Sequence, residues 1–500
     1  MAALLLTSWA AVAEPTTAAD ARQAVRRWLR ADPRPLGAPL GRAVARVETY
    51  RDEKGGPLYY VVTLRPAGFV VVSGDDLVEP FIAFAAQGRY EASSDNPLGA
   101  LVTRDLPRRI RQARGIDAGL ADGATVPAPA QRARRKWRLR PPPRNDGGEI
   151  DLPSVSDPRV SPLLGSRWSQ GSVGGRYCYN YYTPNHYVCG CVATAMAQLM
   201  RFHRYPTGPV GTAEYTIYVD GEPESRRLRG GDGSGGAYCW ADMPLVPSSS
   251  STDAQRRAIG ALCHDAGLSV NMHYSRSGSG AYHLGGSSLA TTFGYSSAIE
   301  ASSSTDLGQA LIHMANTNLD SGRPVLLGIF GAGGHAIVCD GYGYNLATLY
   351  HHLNLGWAGA YDAWYNLPNV GTGYDFDTVL RCVYNVYRAG SGEIISGRVT
   401  DEDGDPVPAA LVRAVRSGGG TYTATTNSRG IYAIAKMPSA STYTVSCYKP
   451  GHTFEDQVVQ VGTSRSSRST TGNVWGVDFG GPPPVRIATT SLPRGAEGAP

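Results

Sequence analysis

The stretch YVCGCVATAMAQLMRFHRYP, from Tyr187 to Pro206, decides how the central part of the chain folds. Its apolar residues and one histidine recur at the spacing of a single helix face: Val192, Ala195, Met196, Leu199, Met200 and His203. This spacing predicts an amphipathic helix with one buried face. Because Tyr205 precedes a proline and so avoids the helical region, we expect the helix to end there.

Cys191 lies at the predicted N-terminus of this helix. Unpaired backbone N–H groups at a helix N-terminus favour negative charge, so a thiol there has a lowered pKa and is a better nucleophile. Cys189 lies outside the helix and gains less. The residues alone leave two interpretations of Cys191 open, a reactive thiol and a buried structural thiol.

The other cysteines bear on the redox state and on metal binding. Eight cysteines in 500 residues are too sparse for a disulfide scaffold. There is no pair of C-x-x-C motifs, so a structural zinc site is not expected. Cys178 and Cys189 could form a disulfide in an oxidising compartment, which would leave Cys191 free. No metal or organic cofactor is expected.

His335 begins the second of two apolar β runs in PVLLGIFGAGGHAIVCDGYGY, Pro324–Tyr344. A histidine at a strand start beside small residues can face a cleft and provide the base that a thiol needs. In isolation, the residue is more simply interpreted as an ordinary half-buried strand histidine. It follows Cys191 by 144 positions, and papain-like enzymes place their cysteine and histidine about 130–150 residues apart.

Asn354 and Trp357 follow in YHHLNLGWAGAYDAWYNL. The Asn354 amide could accept from the His335 ring and hold its tautomer, which is the orienting role in a Cys-His-Asn set. The GWAG turn would place Trp357 near that pair. The ordinary alternatives are a polar strand residue and a core aromatic.

Gln170 lies upstream of the cysteine, in SRWSQGS. Its amide N–H₂ could point at a developing oxyanion together with the backbone N–H of Cys191. One such donor is worth roughly 3–4 kcal/mol in a transition state. A glutamine before glycine is otherwise a turn residue.

The rest of the chain divides by composition. Residues at about 18–30 have helical spacing, and Leu58–Ala85 predicts a hairpin around RPAG, a GDD turn and a further strand. From about 115 to 157, the enrichment in Ala, Pro, Arg and Asp is typical of a linker. Residues from about 158 to 390 mix one clear helix with β-hairpins. Short strands and turns after residue 390 predict a small β-sandwich.

Two segments bear on partners and location. The basic run RARRKWRLRPPPR, Arg132–Arg144, could bind nucleic acid or anionic lipid, but its prolines favour a solvated, protease-sensitive linker. MAALLLTSWAAVAEP carries an A-x-A site at Ala11 and Ala13, which indicates the end of a secretory signal rather than an ordinary disordered terminus. No apolar run reaches the roughly 18 residues of a membrane span. No nucleic-acid partner is expected.

Taken in order, these motifs resemble the streptopain family of secreted cysteine peptidases. GCVATAMAQLM-FH-YP and GGHA-V-DGY look like that family's most specific signatures, and YCWADMP and LCHDAGLSVNMHYSRSGSGA resemble two more segments, the latter usually part of the substrate cleft. YYVVTLRPAGFVVVSGDDLVEPFIAF resembles the family's inhibitory propeptide domain. The strands after residue 390 resemble a carboxypeptidase regulatory-like module.

The resemblance implies roles for single residues. Cys191 would be the nucleophile, His335 the base and acid, and Gln170 an oxyanion donor, with Asn354 and Trp357 supporting the histidine. One departure is NLGWAG where the family usually has NWGWGG, so Leu355 replaces a tryptophan expected to shield the His–Asn pair. With leucine at this position, we expect the His335–Asn354 hydrogen bond to be more accessible to water. Cys178, Cys189 and Cys339 also look atypical, and Cys339 is interpreted as a packed thiol.

The predicted fold class is therefore α+β, with a papain-like cysteine peptidase core preceded by a small α+β propeptide domain and followed by an all-β sandwich. The expected division is a signal peptide remnant (1–13), an inhibitory propeptide domain (14–115), a basic, Pro-rich linker with the processing site (116–157), the peptidase domain (158–390), the regulatory-like sandwich (391–480) and a disordered tail (481–500).

The predicted function is a secreted or cell-surface cysteine endopeptidase made as an inactive precursor. Its partners would be protein or peptide substrates and its own propeptide domain as intramolecular inhibitor. A preference for a hydrophobic residue two positions before the scissile bond is implied by the resemblance only. Two alternatives remain, a catalytically inactive surface binding protein and an acyltransferase that uses the same acyl-enzyme.

Overall fold

The structure is a computed structural model that describes residues 15–120, 128–138, 155–305, 307–330, 334–367 and 378–480. The predicted signal remnant, much of the predicted linker and the predicted tail lie outside these residues.

The N-terminal part is a helix, a four-stranded antiparallel sheet and a second helix. Its elements are α1 (Ala18–Ala31), β1 (Ala43–Arg51), β2 (Pro57–Arg65), β3 (Phe69–Ser73), β4 (Phe81–Ala85) and α2 (Pro97–Leu120). The hairpin predicted around RPAG is confirmed, because β2 and β3 pair antiparallel. Thr17 caps α1 in a capping box with Asp20, so the helix starts where its sequence signal lies.

Part of the predicted linker is ordered, which corrects the expectation of a solvated segment. Residues Ala128–Trp137 form helix α3. Arg134 and Lys136 bind Asp76 (2.9 Å) and Glu79 (2.7 Å), and the Trp137 indole donates to Val78 O (3.1 Å). The sequence pattern did not predict these contacts of α3, because the partner residues lie more than fifty positions earlier in the chain.

The central part mixes helices and strands. It contains β5 (Ser156–Val160), α4 (Cys191–His203), β6 (Glu214–Val219), β7 (Glu222–Arg227), α5 (Asp253–Ser269), β8 (His273–Ser275), β9 (Gly278–Gly280), α6 (Gly286–Thr291), β10 (Ser297–Ser302), α7 (Ala310–Asp320), β11 (Val325–Phe330), β12 (Gly334–Asn345), β13 (Thr348–Asn354), β14 (Ala363–Tyr365) and β15 (Val379–Tyr387). The helix predicted after Gly190 is confirmed as α4.

One sheet runs through both parts. Its strand order is β1-β2-β3-β4-β14-β13-β12-β11-β15-β10, and β5 pairs with β12. The two parts join where β4 pairs with β14, in the register Phe84 opposite Trp364 and Ala83 opposite Tyr365. The buried apolar core is likewise shared, since Val71 and Leu101 belong to the same cluster as Leu353. The N-terminal part is therefore integrated with the central part rather than tethered to it.

The C-terminal part is a β-sandwich. A three-stranded and a four-stranded sheet enclose an apolar core, built from β16 (Glu393–Arg398), β17 (Leu411–Arg416), β18 (Thr421–Thr425), β19 (Ile431–Met437), β20 (Ser441–Tyr448), β21 (Gln457–Val461) and β22 (Val474–Trp475). Alternating burial along β17 fits a strand with one face on that core. The predicted fold class is confirmed in all three parts.

Candidate active site

Cys191 is the first residue of α4, with Gly190 as the N-cap. Gly190 has φ +89°, and a side chain there would meet the Met272 side chain at 2.9 Å and Ser279 O at 3.0 Å. Only glycine tolerates both the left-handed backbone and this close approach. The GC dipeptide thus places the thiol of Cys191 at the helix N-terminus, partly exposed.

The pKa of this thiol does not follow the sequence expectation. Burial raises the pKa of Cys191 above 9.0, and backbone hydrogen bonds from Ala336 and Val192 oppose that rise without reversing it. The helix N-terminus is present, but desolvation outweighs it. The prediction of a lowered pKa is therefore wrong for the protein in this form, with its N-terminal part in place.

His335 lies at the start of β12, as predicted, and pairs with Ile329 of β11. It lines a cavity of about 470 Å³ together with Cys191. Val192, Ala281 and Leu284 add an apolar wall to this cavity. A thiol and an imidazole are therefore brought to one cavity from elements 144 residues apart.

The ring of His335 is engaged by the N-terminal part. Its Nε2 lies 2.8 Å from the backbone carbonyl oxygen of Ser94. A carbonyl only accepts, so Nε2 carries the proton and donates it to Ser94. In this form His335 is held by the segment between β4 and α2.

Asn354 does not orient His335 in this structure. Its Oδ1 accepts from Gln198 Nε2 (2.9 Å) and its Nδ2 donates to Ser166 O (2.8 Å). Both ends of the buried amide are thus used, and the described residues give no hydrogen bond between Asn354 and His335. The predicted Asn–His pairing is corrected on this point: the strand places Asn354 against α4 instead.

Gln198 is a residue that the sequence reasoning missed. It lies on α4, two turns after Cys191, and is fully buried. Its Oε1 accepts from Ser166 Oγ (2.9 Å) and Trp168 N (3.2 Å). A buried glutamine inside the apolar face AMAQLM was the available signal, because such an amide needs partners. Gln198 connects α4, β13 and the segment that leads to Gln170.

The side chains of Gln170 and Trp357 have no hydrogen-bond partner among the described residues. Gln170 accepts from Cys189 N through its backbone carbonyl (2.9 Å), and no hydrogen bond of its side-chain amide is recorded among the described residues. Trp357 packs against Tyr361 with ring centroids 5.8 Å apart. Its indole N–H is buried and has no partner in the described part of the chain.

The structure shows where the atypical residues of the sequence lie, namely Leu355 and the extra cysteines. Leu355 is completely buried in the shared apolar core. Cys339 is also completely buried, in agreement with a packed thiol. The Cys178–Cys189 disulfide, which the sequence left only as a possibility, is absent: both are free thiols, as are the chain's other cysteines in the described residues. Burial raises the pKa of Cys178 to about 12.

The N-terminal part closes over the turn that holds Trp357. A side chain on Gly88 would come within 1.6 Å of Ala360 O, so the two backbones touch. Behind this contact, the fully buried Arg109 of α2 pairs with Asp105 (2.7 Å) and donates to Asn366 O (2.6 Å). A buried ion pair that also satisfies a neighbouring carbonyl fixes α2 against the central part.

Two negative findings concern only the described residues. Within them, no helix has both the length and the apolar character that a membrane crossing requires. The same part of the chain holds no group of three or more side chains arranged to bind a metal ion.

Comparison with known families gives three consecutive matches. Residues 13–104 match the Spi protease inhibitor model, residues 168–365 the Peptidase C10 family and residues 394–471 the carboxypeptidase regulatory-like domain.

Individual proteins are similar to parts of this chain. Streptopain of Streptococcus pyogenes serotype M28 is 26% identical over 321 residues, which cover 63% of this chain and 75% of that protein. The thiol protease/hemagglutinin PrtT of Porphyromonas gingivalis is 29% identical over 324 residues, 61% of this chain and 33% of PrtT. A solved fragment of Prevotella intermedia prointerpain A is 22% identical, with a TM-score of 0.45, over 68% of this chain and 98% of the fragment.

Proposed function

The chain is a cysteine-type peptidase with a streptopain-family (Peptidase C10) domain that follows a Spi-type inhibitor region, and we propose that it is a secreted endopeptidase made as an inactive precursor. Cys191 is the nucleophile in this proposal, and His335 is the general base and acid. The observation that carries it is the cavity lined by Cys191 and His335, with the histidine held by Ser94.

The proposed reaction is hydrolysis through a thioester. The Cys191 thiolate attacks a peptide carbonyl carbon, and the negative charge on the carbonyl oxygen is stabilised by the Cys191 N–H and the Gln170 amide. The proton of the former thiol, now on His335, passes to the leaving amine as the C–N bond breaks. Water then loses a proton to His335 and attacks the thioester, which releases the acid and the thiol.

Asn354 and Trp357 have supporting roles in this proposal. Asn354 holds the turn after β13 through its bonds to Gln198 and Gly356 (3.2 Å). The unpartnered Trp357 indole N–H is available to a group that enters once the N-terminal part leaves. Neither residue exchanges a proton with substrate in this scheme.

The N-terminal part acts as the intramolecular inhibitor in this proposal. The hydrogen bond from His335 Nε2 to Ser94 O fixes the imidazole to the N-terminal part, and burial raises the pKa of Cys191, which disfavours the thiolate. Cleavage between the inhibitor region and the peptidase region would release His335. We place the inhibitory region at 14–115, the processing segment at 116–157, the peptidase domain at 158–390 and the sandwich at 391–480.

The deciding experiment compares the processed, reduced protein with its Cys191→Ala variant on denatured casein. Each is incubated with and without an epoxysuccinyl thiol inhibitor, and peptides are identified by mass spectrometry. Cys239→Ser is the matched control, since Cys239 is an exposed thiol. We expect cleavage by wild type and Cys239→Ser only, with the inhibitor's mass on Cys191.

The alternatives give different results in the same assay. A folded, processed protein that neither cleaves casein nor takes up the inhibitor would favour the binding-protein function. An acyltransferase would be favoured if the product masses show transfer of the acyl group to an added amine in place of addition of water.

A further inference from the structure

The C-terminal sandwich contacts the edge of the main sheet. Strand β10 is the last strand of that sheet and pairs with β15 on one side. On its other side, Ser467 N donates to Glu300 O (2.8 Å) and Ser302 N donates to Arg468 O (3.1 Å). Glu300 N donates to Ser466 Oγ (3.2 Å). The segment 466–468 therefore satisfies an edge strand that would otherwise present unpaired groups to solvent.

The side chain of Glu300 points to a different part of the molecule. Its two carboxylate oxygens accept from Leu284 N and Gly286 N, each at 3.0 Å. The carboxylate also pairs with Arg381 Nη1 at 3.3 Å, and its side chain is only 13% exposed. A side chain on Gly286 would meet Glu300 Cβ at 2.8 Å, so the approach is close. Glu300 thus fixes the backbone that leads into α6.

That backbone is part of the wall of the candidate active site. Gly280 to Leu284 line the same cavity as Cys191 and His335, and so does Arg381. Glu300 itself is behind the wall and does not line the cavity. Its backbone is held by the C-terminal module, while its carboxylate holds the cavity wall, so one residue connects the two.

We propose that the C-terminal module braces the substrate cleft, and that Glu300 is the positioning residue that couples segment 466–468 to the cleft wall 280–286. The proposal rests on the proposed peptidase function, since it takes this cavity as the substrate cleft. Charge-assisted hydrogen bonds to a buried carboxylate hold a loop more firmly than neutral ones. Loss of the brace would widen the distribution of cleft conformations and weaken substrate binding, with the reacting groups untouched.

The experiment weakens the brace at a distance from the cleft. Ser467 has φ +59°, so Ser467→Pro removes the N–H and forbids the backbone conformation, whereas Ser467→Gly retains both. Hydrogen exchange of the full chain is measured for a peptide that covers residues 281–287. KM and kcat are then measured after removal of the N-terminal region, with Glu300→Gln as a second variant that keeps the side-chain length.

The expected result is faster exchange of residues 281–287, by about five-fold or more, in Ser467→Pro than in Ser467→Gly. KM should rise about three- to ten-fold in Ser467→Pro and Glu300→Gln, with kcat within two-fold of wild type, since only binding is affected. Unchanged exchange or unchanged KM in Ser467→Pro would overturn the proposal. If that variant fails to fold, Ser466→Ala, which loses only the bond to Glu300 N, is judged by the same two readouts.

The two proposals fail separately. A wild-type protein without peptidase activity contradicts the proposed function, while the exchange measurement still decides whether segment 466–468 stiffens the cavity wall. If the wild type is active but the variants leave hydrogen exchange and KM unchanged, only the proposal that the C-terminal module braces the cleft is contradicted.

Discussion

At the scale of single residues, the thiol of Cys191 is controlled by two opposed effects. The helix N-terminus favours the thiolate, and burial disfavours it more strongly, so the pKa of Cys191 is raised. Release of the N-terminal part would free His335 from Ser94. The reactivity of Cys191 therefore depends on its burial and on its histidine as much as on its helix.

Alkylation of Cys191 by iodoacetamide should report this difference. In the intact precursor, the rate should rise with pH only above the range in which an ordinary cysteine thiol ionises, because burial raises the pKa of this thiol. In the processed enzyme we expect the midpoint at least about 2 pH units lower, since an adjacent imidazolium stabilises the thiolate. The pH profile is read by mass spectrometry, with processed His335→Ala as control. Equal midpoints in precursor and processed enzyme would contradict this explanation.

Gln198 is the second residue whose role the structure assigns. Replacement by leucine, of similar size, would leave Ser166 Oγ and Trp168 N without their acceptor, and would take one of two donors from Asn354 Oδ1, which keeps Gly356 N. Such losses cost about 1–3 kcal/mol per group. We expect Gln198→Leu to lower the free energy of unfolding by at least about 2 kcal/mol in urea denaturation.

The control for this prediction is Gln460→Leu, an exposed strand position that should change stability by less than about 0.5 kcal/mol. Similar stabilities of the two variants would mean that the Gln198 amide is not the link between α4 and β13.

At the scale of elements, the pairing of β4 with β14 explains how the N-terminal part, the proposed inhibitor, is held against the central part. The N-terminal sheet extends the central sheet, and the ladder brings the segment after β4 to His335. In this interface, a Cβ on Gly88 would lie only 1.6 Å from Ala360 O. A side chain there cannot be accommodated without displacement of the inhibitory segment.

Gly88→Ala should therefore activate the precursor. We expect the intact precursor to react with the epoxysuccinyl inhibitor at Cys191 about ten-fold faster than wild type. Gly55→Ala is the matched control, because Gly55 has nearly the same positive φ, +82° against +81°, and open space around it. Intact-mass spectrometry at short times separates labelled precursor from processed enzyme. If Gly88→Ala reacts with the inhibitor as slowly as Gly55→Ala, the contact between Gly88 and Ala360 does not contribute to inhibition.

At the scale of the whole molecule, the C-terminal sandwich is attached through buried polar groups. Asp320, at the end of α7, accepts from Tyr342 Oη (2.6 Å) and from Ser396 Oγ (2.7 Å) of the sandwich. Burial raises the pKa of Asp320 to about 7. Asn473 of the sandwich donates to Thr317 of α7 (2.9 Å). These contacts support a module that is fixed in orientation, as the brace through Glu300 requires.

The raised pKa of Asp320 predicts a pH dependence of stability. A carboxyl whose pKa is raised on folding favours the folded state when protonated, so its contribution is complete below about pH 4 and is lost as pH rises to about 7. Because Asp320→Asn stays neutral, its free energy of unfolding should fall by about 2–4 kcal/mol less than that of wild type as the pH rises, since one pKa unit equals about 1.4 kcal/mol. The free energy of unfolding is measured from pH 4 to 8. The exposed Glu402→Gln should retain the wild-type slope, and an unchanged slope in Asp320→Asn would contradict the prediction.

The sequence by itself determined those features that depend on local spacing. The period of the α4 face, the glycine before Cys191, the RPAG hairpin and the turn-separated strands after residue 390 each follow from backbone preferences within a few residues. The family signatures likewise assigned the peptidase class and the inhibitor-like region. All of these reflect interactions between neighbours along the chain, which a linear pattern can contain.

Only the tertiary structure decided which side chains meet. Asn354 pairs with Gln198 and not with His335, and Ser94 engages the histidine from 241 residues away. A basic linker segment folds as a helix against acidic partners in the distant turn between β3 and β4. The Cys191 pKa was predicted in the wrong direction, because desolvation depends on everything that packs around the thiol. Burial and long-range hydrogen bonds are properties of the assembled molecule, and no local pattern specifies them.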